Sequence, residues 1–211
     1  MKQRVIFATG NEGKMKEIRL ILADMGMEII SMKEAGADLD IVEDGMSFGE
    51  NAEIKARAVW KATGDMVLAD DSGLVIDYLN GEPGIYSARY LGEDMSYEVK
   101  NRVILERMEG AEGDERSARF VSAIAAVLPD GRVLHTEGVV EGVIAKEAAG
   151  DGGFGYDPIF FLPEFGMTSA EIPIELKNEI SHRGKALEAM KEVLKETLFK
   201  TMKKDFEEGD R

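Results

Sequence analysis

Apolar and polar residues alternate along the first part of the chain in a pattern that predicts successive strands and helices. Val5–Ala8 predicts a buried first strand, and a turn at Thr9–Gly10 leads into a helix from about Asn11. That helix is indicated by apolar residues that recur at helical spacing, namely Met15, Ile18, Leu22 and Met25. Glu28–Ser31 predicts a second strand. The chain therefore begins with a strand–helix–strand unit.

The middle of the chain predicts a capped helix followed by two short strands. Ser47–Glu50 has the pattern of a capping box, in which a serine and a glutamate satisfy backbone N–H groups at the start of a helix. The apolar face of this helix would consist of Phe48, Ala52, Ala56 and Val59. Met66–Ala69 predicts a short buried strand that ends at Asp70–Asp71, and Leu74–Tyr78 predicts a separate strand.

The second half of the chain predicts a long β-hairpin. Ala118–Leu128 and Val133–Ile144 are apolar runs rich in Val, Ile and Phe, and Pro129–Gly131 between them is a strong turn signal. Further elements are predicted as a helix at Glu98–Met108, a strand at Pro158–Leu162 and a last helix at about Arg183–Leu198. Early alternation of strands and helices, followed by a hairpin, predicts an α/β protein with a mixed sheet and two lobes around a cleft.

The chain is long enough to bury a sizeable core without disulfides or metals. Its 211 residues are 44% hydrophobic and 32% charged, which is ordinary for a globular protein. We expect residues 1–199 to form a single domain of two lobes. The charged segment 200–211 is expected to be a frayed tail.

Charge and cysteine content restrict the possible partners and compartment. The formal net charge of −15 disfavours nucleic acid and anionic membranes, because both require a basic face. The absence of cysteine excludes disulfides and thiolate metal sites and fits a reducing compartment. Only five apolar or small residues follow Met1–Arg4, too few for a signal peptide, and no run approaches a membrane span. A cytoplasmic protein is expected.

The segment Thr9–Lys14 is a candidate phosphate-binding loop. It follows a predicted strand and begins a helix, where free backbone N–H groups and the positive end of the helix dipole attract anions. Lys14 adds a full positive charge. The segment is not a P-loop, because Gly10 and Gly13 are too close together and Met15 stands where Ser or Thr would hold the metal. A plain strand-to-helix turn capped by Asn11 has the same pattern, so both interpretations stay open at this level.

Asp70–Asp71 is the second candidate, because ligands of α/β folds bind at the carboxyl ends of strands. Adjacent carboxylates repel each other unless a cation holds them, and a hard divalent metal is the natural partner. Neighbours in a strand point to opposite faces, so one aspartate could bind metal while the other orients structure. A solvated turn before Gly73 is the competing interpretation. Glu43 could add a metal ligand, and Lys55 could reach a phosphate.

Two glycine-rich or basic segments complete the set of candidates. Gly152–Pro158 places three glycines around two aromatic residues, and Phe154 or Tyr156 could stack on a base. Ser181–Lys185 begins the last helix, where Arg183 offers planar donors to an acceptor edge and His182 could also donate. A bent strand connection and simple helix capping are the respective alternatives. His135, alone in the hairpin, is interpreted as structural.

Together these segments resemble the inosine/xanthosine triphosphate pyrophosphatase family. The resemblance covers roughly Arg4 to Leu198, and six segments occur in the order of the family. They are Thr9–Lys14, Phe48–Lys55, Ala69–Gly73, Pro83–Arg89, Gly152–Pro158 and Ser181–Lys185. The resemblance implies an elongated α/β fold with a central twisted mixed sheet and two lobes around an active-site cleft. It also implies a homodimer and a Mg²⁺-dependent enzyme with one Mg²⁺ per subunit.

The implied reaction is hydrolysis of ITP, dITP and XTP to the monophosphate and pyrophosphate, which removes deaminated purine nucleotides from the precursor pool. By this resemblance Asp71 would be the general base, and Asp71 and Glu43 would be the metal ligands. The residues implied to bind the substrate are Thr9, Gly10, Asn11, Glu12, Gly13, Lys14, Lys55, Ser72, Phe154, Gly155, Tyr156, Asp157, Lys177, His182 and Arg183. Asp70 would orient the site.

Three other functions are compatible with parts of this pattern. A regulatory nucleotide-binding module would need the phosphate loop but not the acidic residues Asp70, Asp71 and Glu43. A pyrophosphatase for modified pyrimidine or methylated nucleotides would not be expected to carry His182–Arg183 or Phe154–Asp157. A general NTPase would release orthophosphate instead of pyrophosphate. The acids and the aromatic segment therefore favour the purine nucleotide pyrophosphatase.

Overall fold

One mixed sheet organises the part of the chain that the structure describes. The structure is a computed structural model that describes residues 3–37 and 39–209, with side chains of the last helix as far as Thr197. Within these ranges the strands are β1 (Arg4–Phe7), β2 (Glu28–Ser31), β3 (Met66–Ile76), β4 (Ser117–Val127), β5 (Val133–Ile144), β6 (Phe160–Leu162) and β7 (Met167–Thr168). Their order in the sheet is β2-β1-β3-β4-β5-β6-β7. Strand β1 runs parallel to β2 and β3, and the pairs from β3 to β7 are antiparallel.

The described helices surround this sheet. They are α1 (Glu12–Ile21), α2 (Phe48–Thr63), α3 (Tyr97–Arg107), α4 (Ile174–Ile180) and α5 (His182–Gly209). The α/β fold with a mixed sheet is thereby confirmed, and most predicted elements begin or end within two residues of the observed bounds. Strand β7 and helix α4 are two short elements that the hydrophobic pattern did not predict. In the described ranges no helix is both long and apolar enough to cross a membrane.

Strand β3 corrects the prediction of two short strands separated by Asp70–Asp71. Its pairing with β4 is continuous from Val67↔Val127 to Ile76↔Ala118. The polar residues do not end the strand, because β4 continues the hydrogen-bonded ladder past them and the carboxylates find partners on both faces. The acidic pair therefore lies in the middle of a long central strand.

Helix α2 shows how local sequence fixes the start of an element beside the cleft. The side chain of Ser47 accepts a hydrogen bond from the Glu50 N–H, as the capping pattern predicted. The Glu50 carboxylate instead accepts from the N–H of Met46, one residue before the expected donor. The helix ends at Gly64, which adopts the left-handed conformation with φ 71°.

The final helix is longer than its apolar pattern indicated. Helix α5 begins at His182 and continues to Gly209, whereas the apolar spacing predicted an end near Leu198. The prediction of a frayed tail concerns residues 200–211, of which Asp210 and Arg211 lie outside the described residues. That prediction and the division at residue 199 stay predictions.

The described residues form three apolar core clusters, and β3 contributes to each of them. Met66 and Leu68 pack with α1 and α5, and Val67 and Ala69 pack against α2. Beyond the acidic pair, the strand contributes to a third cluster formed with β4, β5 and β6, whose members include Leu74, Ile76, Phe120, Ile144 and Phe160. The acidic residues therefore lie where the strand passes from the first two clusters to the third.

Candidate active site

A cleft of about 360 Å³ opens beside the middle of β3. It brings together most of the residues that the sequence analysis selected from distant parts of the chain. The selected residues that line it are Thr9, Gly10, Asn11, Lys14, Glu43, Lys55, Asp71, Ser72, Phe154, Gly155, Tyr156, Asp157, Lys177, His182 and Arg183. Glu12 and Gly13 lie in the first turn of α1, outside this lining. Because a Cβ added at Gly13 would lie 3.9 Å from Phe154 Cδ1, the start of α1 is close to that ring.

The loop before α1 presents a helix N-terminus to the cleft. Asn11 caps the helix, since its side chain accepts a hydrogen bond of 3.1 Å from the Lys14 N–H. Thr9 Oγ1 accepts from the Asn11 N–H at 3.2 Å, which closes the turn after β1. Lys14 Nζ lies 2.9 Å from Asp70 Oδ2. The loop therefore combines the positive end of a helix with a lysine held in place by a buried carboxylate.

Asp70 is the buried centre of an ion network. Its Oδ2 accepts from Lys14 at 2.9 Å, from Ser72 Oγ at 3.2 Å and from Arg183 at 3.4 Å. Burial by itself would raise the pKa of Asp70, but the positive charges of Lys14, Arg183 and Lys55 outweigh it and hold that pKa well below its ordinary value. Asp70 is therefore ionised and holds two of the cations of the cleft.

Asp71 faces the opposite side of the strand, as neighbouring strand residues must. Its Oδ2 accepts from Asn51 Nδ2 at 3.0 Å, and its Oδ1 accepts from the Ser72 N–H at 3.0 Å. Lys55 Nζ lies 3.6 Å from Asp71 Oδ1 and 2.9 Å from Glu43 Oε2. Burial raises the pKa of Asp71 despite the opposing effects of Lys55 and Asn51. The two aspartates thus differ: one is a fixed anion and the other is a more basic carboxylate.

The other end of the cleft is aromatic and basic. The Phe154 ring is 37% exposed, and Lys177 Nζ and Arg183 Cζ lie 5.1 and 5.6 Å from its centroid. Asp157 fixes this end by accepting from the Phe154 N–H at 2.7 Å and from Lys177 Nζ at 2.6 Å. The exposed ring is therefore a rigidly held platform for a planar ligand.

His182 and Arg183 lie at the start of α5 beside this platform. His182 stacks on Phe120 with ring centroids 4.8 Å apart, and burial together with the nearby cations lowers its pKa well below the ordinary value. The imidazole is therefore neutral at pH 7 and carries one N–H donor. The buried Arg183 guanidinium donates to Glu17, Asp70 and Ser72 Oγ, so its plane is held from several sides.

Sequence reasoning missed several polar groups that complete the cleft. Glu17 is buried on α1, pairs with Arg183 and lies 3.7 Å from Lys177 Nζ, although it falls outside the apolar stripe of that helix. Asn51 is fully buried between Asp71 and Gly45. Its Oδ1 accepts a hydrogen bond of 2.9 Å from the Gly45 N–H, and its Nδ2 donates to Asp71. A signal for Asn51 existed, because it lies on the apolar face of α2 one turn before Lys55.

Arg89 and Tyr97 also line the cleft and were not selected. Arg89 lies at the end of Pro83–Arg89, a segment that supported the resemblance without an assigned role. Tyr97 begins α3 and packs edge-on against Tyr156 with ring centroids 5.2 Å apart. Spacing along the chain does not reveal that either residue lines the cleft, because the other lining residues come from different elements.

The arrangement suits a polyanionic ligand with a planar group. In the described part of the chain, the lysine and arginine side chains that line the cleft are Lys14, Lys55, Arg89, Lys177 and Arg183. They surround paired carboxylates and a helix N-terminus within a chain of net charge −15. This fold and site define an enzyme that hydrolyses phosphate anhydrides.

Comparison with known proteins places the chain in one family. The sequence model of the Ham1 family matches residues 5–193, so the chain belongs to the Ham1 family. The resemblance to the inosine/xanthosine triphosphate pyrophosphatases is thereby confirmed. A dITP/XTP pyrophosphatase of Desulforamulus reducens is 46% identical over 191 residues, covering 90% of this chain and 95% of that protein. A dITP/XTP pyrophosphatase of Thermus thermophilus is 48% identical over 193 residues and covers 92% of each chain.

Solved structures agree with this assignment. The Ham1 protein of Staphylococcus aureus matches with a TM-score of 0.83 and 39% identity, covering 92% of this chain and 100% of that chain. A HAM1 protein from Coxiella burnetii matches with a TM-score of 0.84 and 42% identity, covering 92% and 99%. The similarity in fold therefore extends over most of the chain.

Proposed function

We propose that this enzyme hydrolyses dITP, XTP and ITP to the nucleoside monophosphate and pyrophosphate, and thereby removes deaminated purine nucleotides. The observation that carries the proposal is the cleft itself, in which an exposed aromatic platform at Phe154 leads past Lys14 and Arg183 to the carboxylates of Asp71 and Glu43. The dITP/XTP pyrophosphatases that are 46–48% identical to this chain over 191–193 residues support dITP and XTP as substrates.

Glu43 and Asp71 are suited to hold one Mg²⁺ per subunit. Both carboxylates face the ammonium of Lys55, at 2.9 and 3.6 Å, so they already converge on a positive charge. Asp70 lies on the opposite face of β3 and does not line the cleft, so it is not a ligand of this site. The described residues form no group of three or more His, Cys, Asp or Glu able to hold a metal. Mg²⁺ is commonly held by one or two carboxylates together with substrate phosphates.

The roles of the protein groups follow from their positions. A water oxygen attacks the α-phosphorus while Asp71 takes its proton, and the bond from the α-phosphorus to the bridging oxygen breaks, so that pyrophosphate leaves. Lys14, Lys55 and the N–H groups at the start of α1 stabilise the charge on the phosphates. Bound Mg²⁺ would supply Lewis acidity towards the phosphate oxygens.

Selection of the base is proposed to depend on purine position 6. Hypoxanthine and xanthine present a carbonyl acceptor there, whereas adenine presents an amino donor. Arg183 has donors only, and neutral His182 adds a donor where its N–H faces the base, so these donors would face the adenine amino group unfavourably. A site built on specific hydrogen bonds can reject a wrong group by about 10⁴-fold.

A substrate panel tests the proposed function. Pure protein with Mg²⁺ is incubated with ITP, XTP, dITP, ATP and GTP, and pyrophosphate and orthophosphate are measured separately. We expect pyrophosphate from ITP, dITP and XTP and little product from ATP. Release of orthophosphate would identify a general NTPase, and binding without turnover would identify a regulatory module. The homodimer and the cytoplasmic location stay predictions, of which the first is measured by light scattering on the eluted protein.

A further inference from the structure

Arg89 differs from the other cations that line the cleft, because no carboxylate among the described residues pairs with it. Lys14 pairs with Asp70, Lys55 with Glu43 and Asp71, Lys177 with Asp157 and Glu17, and Arg183 with Glu17 and Asp70. Within the part of the chain that the structure describes, the Arg89 guanidinium has only a 3.3 Å hydrogen bond to the backbone oxygen of Glu43 and a stacking contact at 4.9 Å with the ring of Tyr86. Its charge therefore remains available for an anion.

The backbone that carries Arg89 is held firmly against β3. Ser87 Oγ accepts from the Leu74 N–H at 2.9 Å and donates to the Gly84 oxygen at 2.7 Å. Tyr156 Oη donates to the Ser87 oxygen at 2.7 Å, and the buried ammonium of Lys100 donates to the Ala88 oxygen at 2.6 Å. The positions of these backbone atoms are thus fixed by β3, α3 and the aromatic loop.

Gly73 permits this close approach of the segment to the strand. A Cβ at Gly73 would lie 2.4 Å from the Gly84 oxygen and 2.5 Å from Ser87 Oγ, which real side chains do not tolerate. The segment therefore rests on β3 two residues after Asp71. A buried lysine and a strand glycine serve to place Arg89 beside the reaction centre.

The contacts along the cleft give the position of Arg89 relative to a bound nucleotide. From the Phe154 platform they run through Arg183 to Asp70. On the other face of β3 they run from Asp71 through Lys55 to Glu43, whose backbone oxygen binds Arg89. A nucleotide with its base on Phe154 and its α-phosphate at Asp71 would extend its β- and γ-phosphates towards Arg89.

We propose that Arg89 binds the two terminal phosphates of the substrate, and the pyrophosphate that they become when the bond to the α-phosphorus breaks. The planar fork of the guanidinium suits phosphate oxygens. This inference rests on the proposed function for the identity of the ligand, because hydrolysis at the α-phosphorus makes pyrophosphate the leaving group.

The test is calorimetry in Mg²⁺ buffer, with inorganic pyrophosphate and dIMP titrated separately. The proteins compared are wild type, Arg89→Gln, Arg89→Lys and the control Arg102→Gln. Arg102 is an exposed arginine on α3 whose nearest carboxylate, Glu106, is 3.8 Å away. Arg89→Gln should weaken pyrophosphate binding by about 10- to 100-fold, the range for a hydrogen bond to a charged group, and leave dIMP binding within about twofold. Arg89→Lys should recover part of the loss, and Arg102→Gln should match wild type.

Unchanged pyrophosphate binding in Arg89→Gln would overturn the proposal, as would an equal loss of dIMP affinity or no pyrophosphate binding by wild type. The proposed function fails on a different observation, namely no release of pyrophosphate from any purine triphosphate by wild type. A selective loss of pyrophosphate binding in Arg89→Gln would then still support the role of Arg89 in binding this anion.

Discussion

Replacement of Asn51 tests whether the orientation of Asp71 limits turnover. Asn51 is fully buried and outside the cleft lining, and its Nδ2 donates to Asp71 Oδ2 at 3.0 Å. Asn51→Asp preserves the size and the acceptor for the Gly45 N–H but replaces the donor by a second carboxylate. Loss of a hydrogen bond to a charged group costs about 1.5–3 kcal/mol, and repulsion between the two carboxylates adds to it, so we expect kcat to fall by at least about 10-fold. KM should change little, because the side chain does not reach the substrate.

The opposite side of Asn51 offers a complementary variant. A Cβ at Gly45 would lie 2.7 Å from Asn51 Oδ1 and 2.8 Å from Glu50 Cβ. Gly45→Ala should therefore displace the loop that carries Glu43 together with the Asn51 side chain that it contacts, and raise the Mg²⁺ concentration needed for half-maximal activity. A changed Mg²⁺ requirement in Gly45→Ala but not in Asn51→Asp would assign that effect to the loop that carries Glu43.

The assay is steady-state release of pyrophosphate from dITP at several Mg²⁺ concentrations, with thermal unfolding of each variant recorded in parallel. Glu53→Gln is the matched control on α2, since Glu53 pairs with Arg57 and His135 and does not line the cleft. We expect this control to behave as wild type. If folded Asn51→Asp turned over dITP within about twofold of the control, the inferred role of Asn51 would be wrong.

Four further results are expected. Asp71→Asn should keep the fold but lose most turnover, whereas near-normal kcat would remove Asp71 from the role of base. Arg183→Ala should reduce the preference for ITP over ATP in kcat/KM, and an unchanged preference would refute the account of base selection. Chelation of divalent metal by EDTA should abolish turnover and excess Mg²⁺ should restore it; activity in EDTA would refute the metal requirement. The pKa of His182 is lowered on folding, so below the ordinary pKa of 6.5 the proton binds the unfolded chain and favours unfolding. Between pH 7.5 and 5.5 the unfolding free energy of the wild type should therefore fall by about 1 kcal/mol. His182→Gln should lose correspondingly less, as measured by urea unfolding at the two pH values.

Much of the fold could be predicted because its signals are local. The hairpin β4–β5 follows from two apolar runs joined by Pro129–Gly131, and the start of α2 follows from the Ser47 cap. The division of β3 was wrong for a reason that local pattern cannot reveal. Polar residues at 70–72 normally indicate a loop, but here β4 continues its pairing past them and ion pairs satisfy their charges.

The site was accessible from sequence only where residues cluster in short segments. Thr9–Lys14, Phe154–Asp157 and His182–Arg183 could be selected because each combines glycine, charge or aromatic residues at the edge of an element. Glu17 could not, because its partner Arg183 is 166 residues away and the α1 pattern assigns it to a polar position. Arg89 was missed because its significance lies in having no carboxylate partner among the described residues, which only the spatial arrangement shows.

The continuity of β3 has a mechanical consequence. Its first half packs against α1, α2 and α5, and its second half belongs to the cluster built on β4, β5 and β6. Any change in the angle between these two parts of the sheet must be taken up by β3 and its neighbour β4, which also contributes to all three clusters. The walls of the cleft could then rotate inward around a substrate while Asp70 and Asp71 stay near the axis of rotation, where displacement is smallest. Such a protein can close on its ligand without rebuilding its reaction centre.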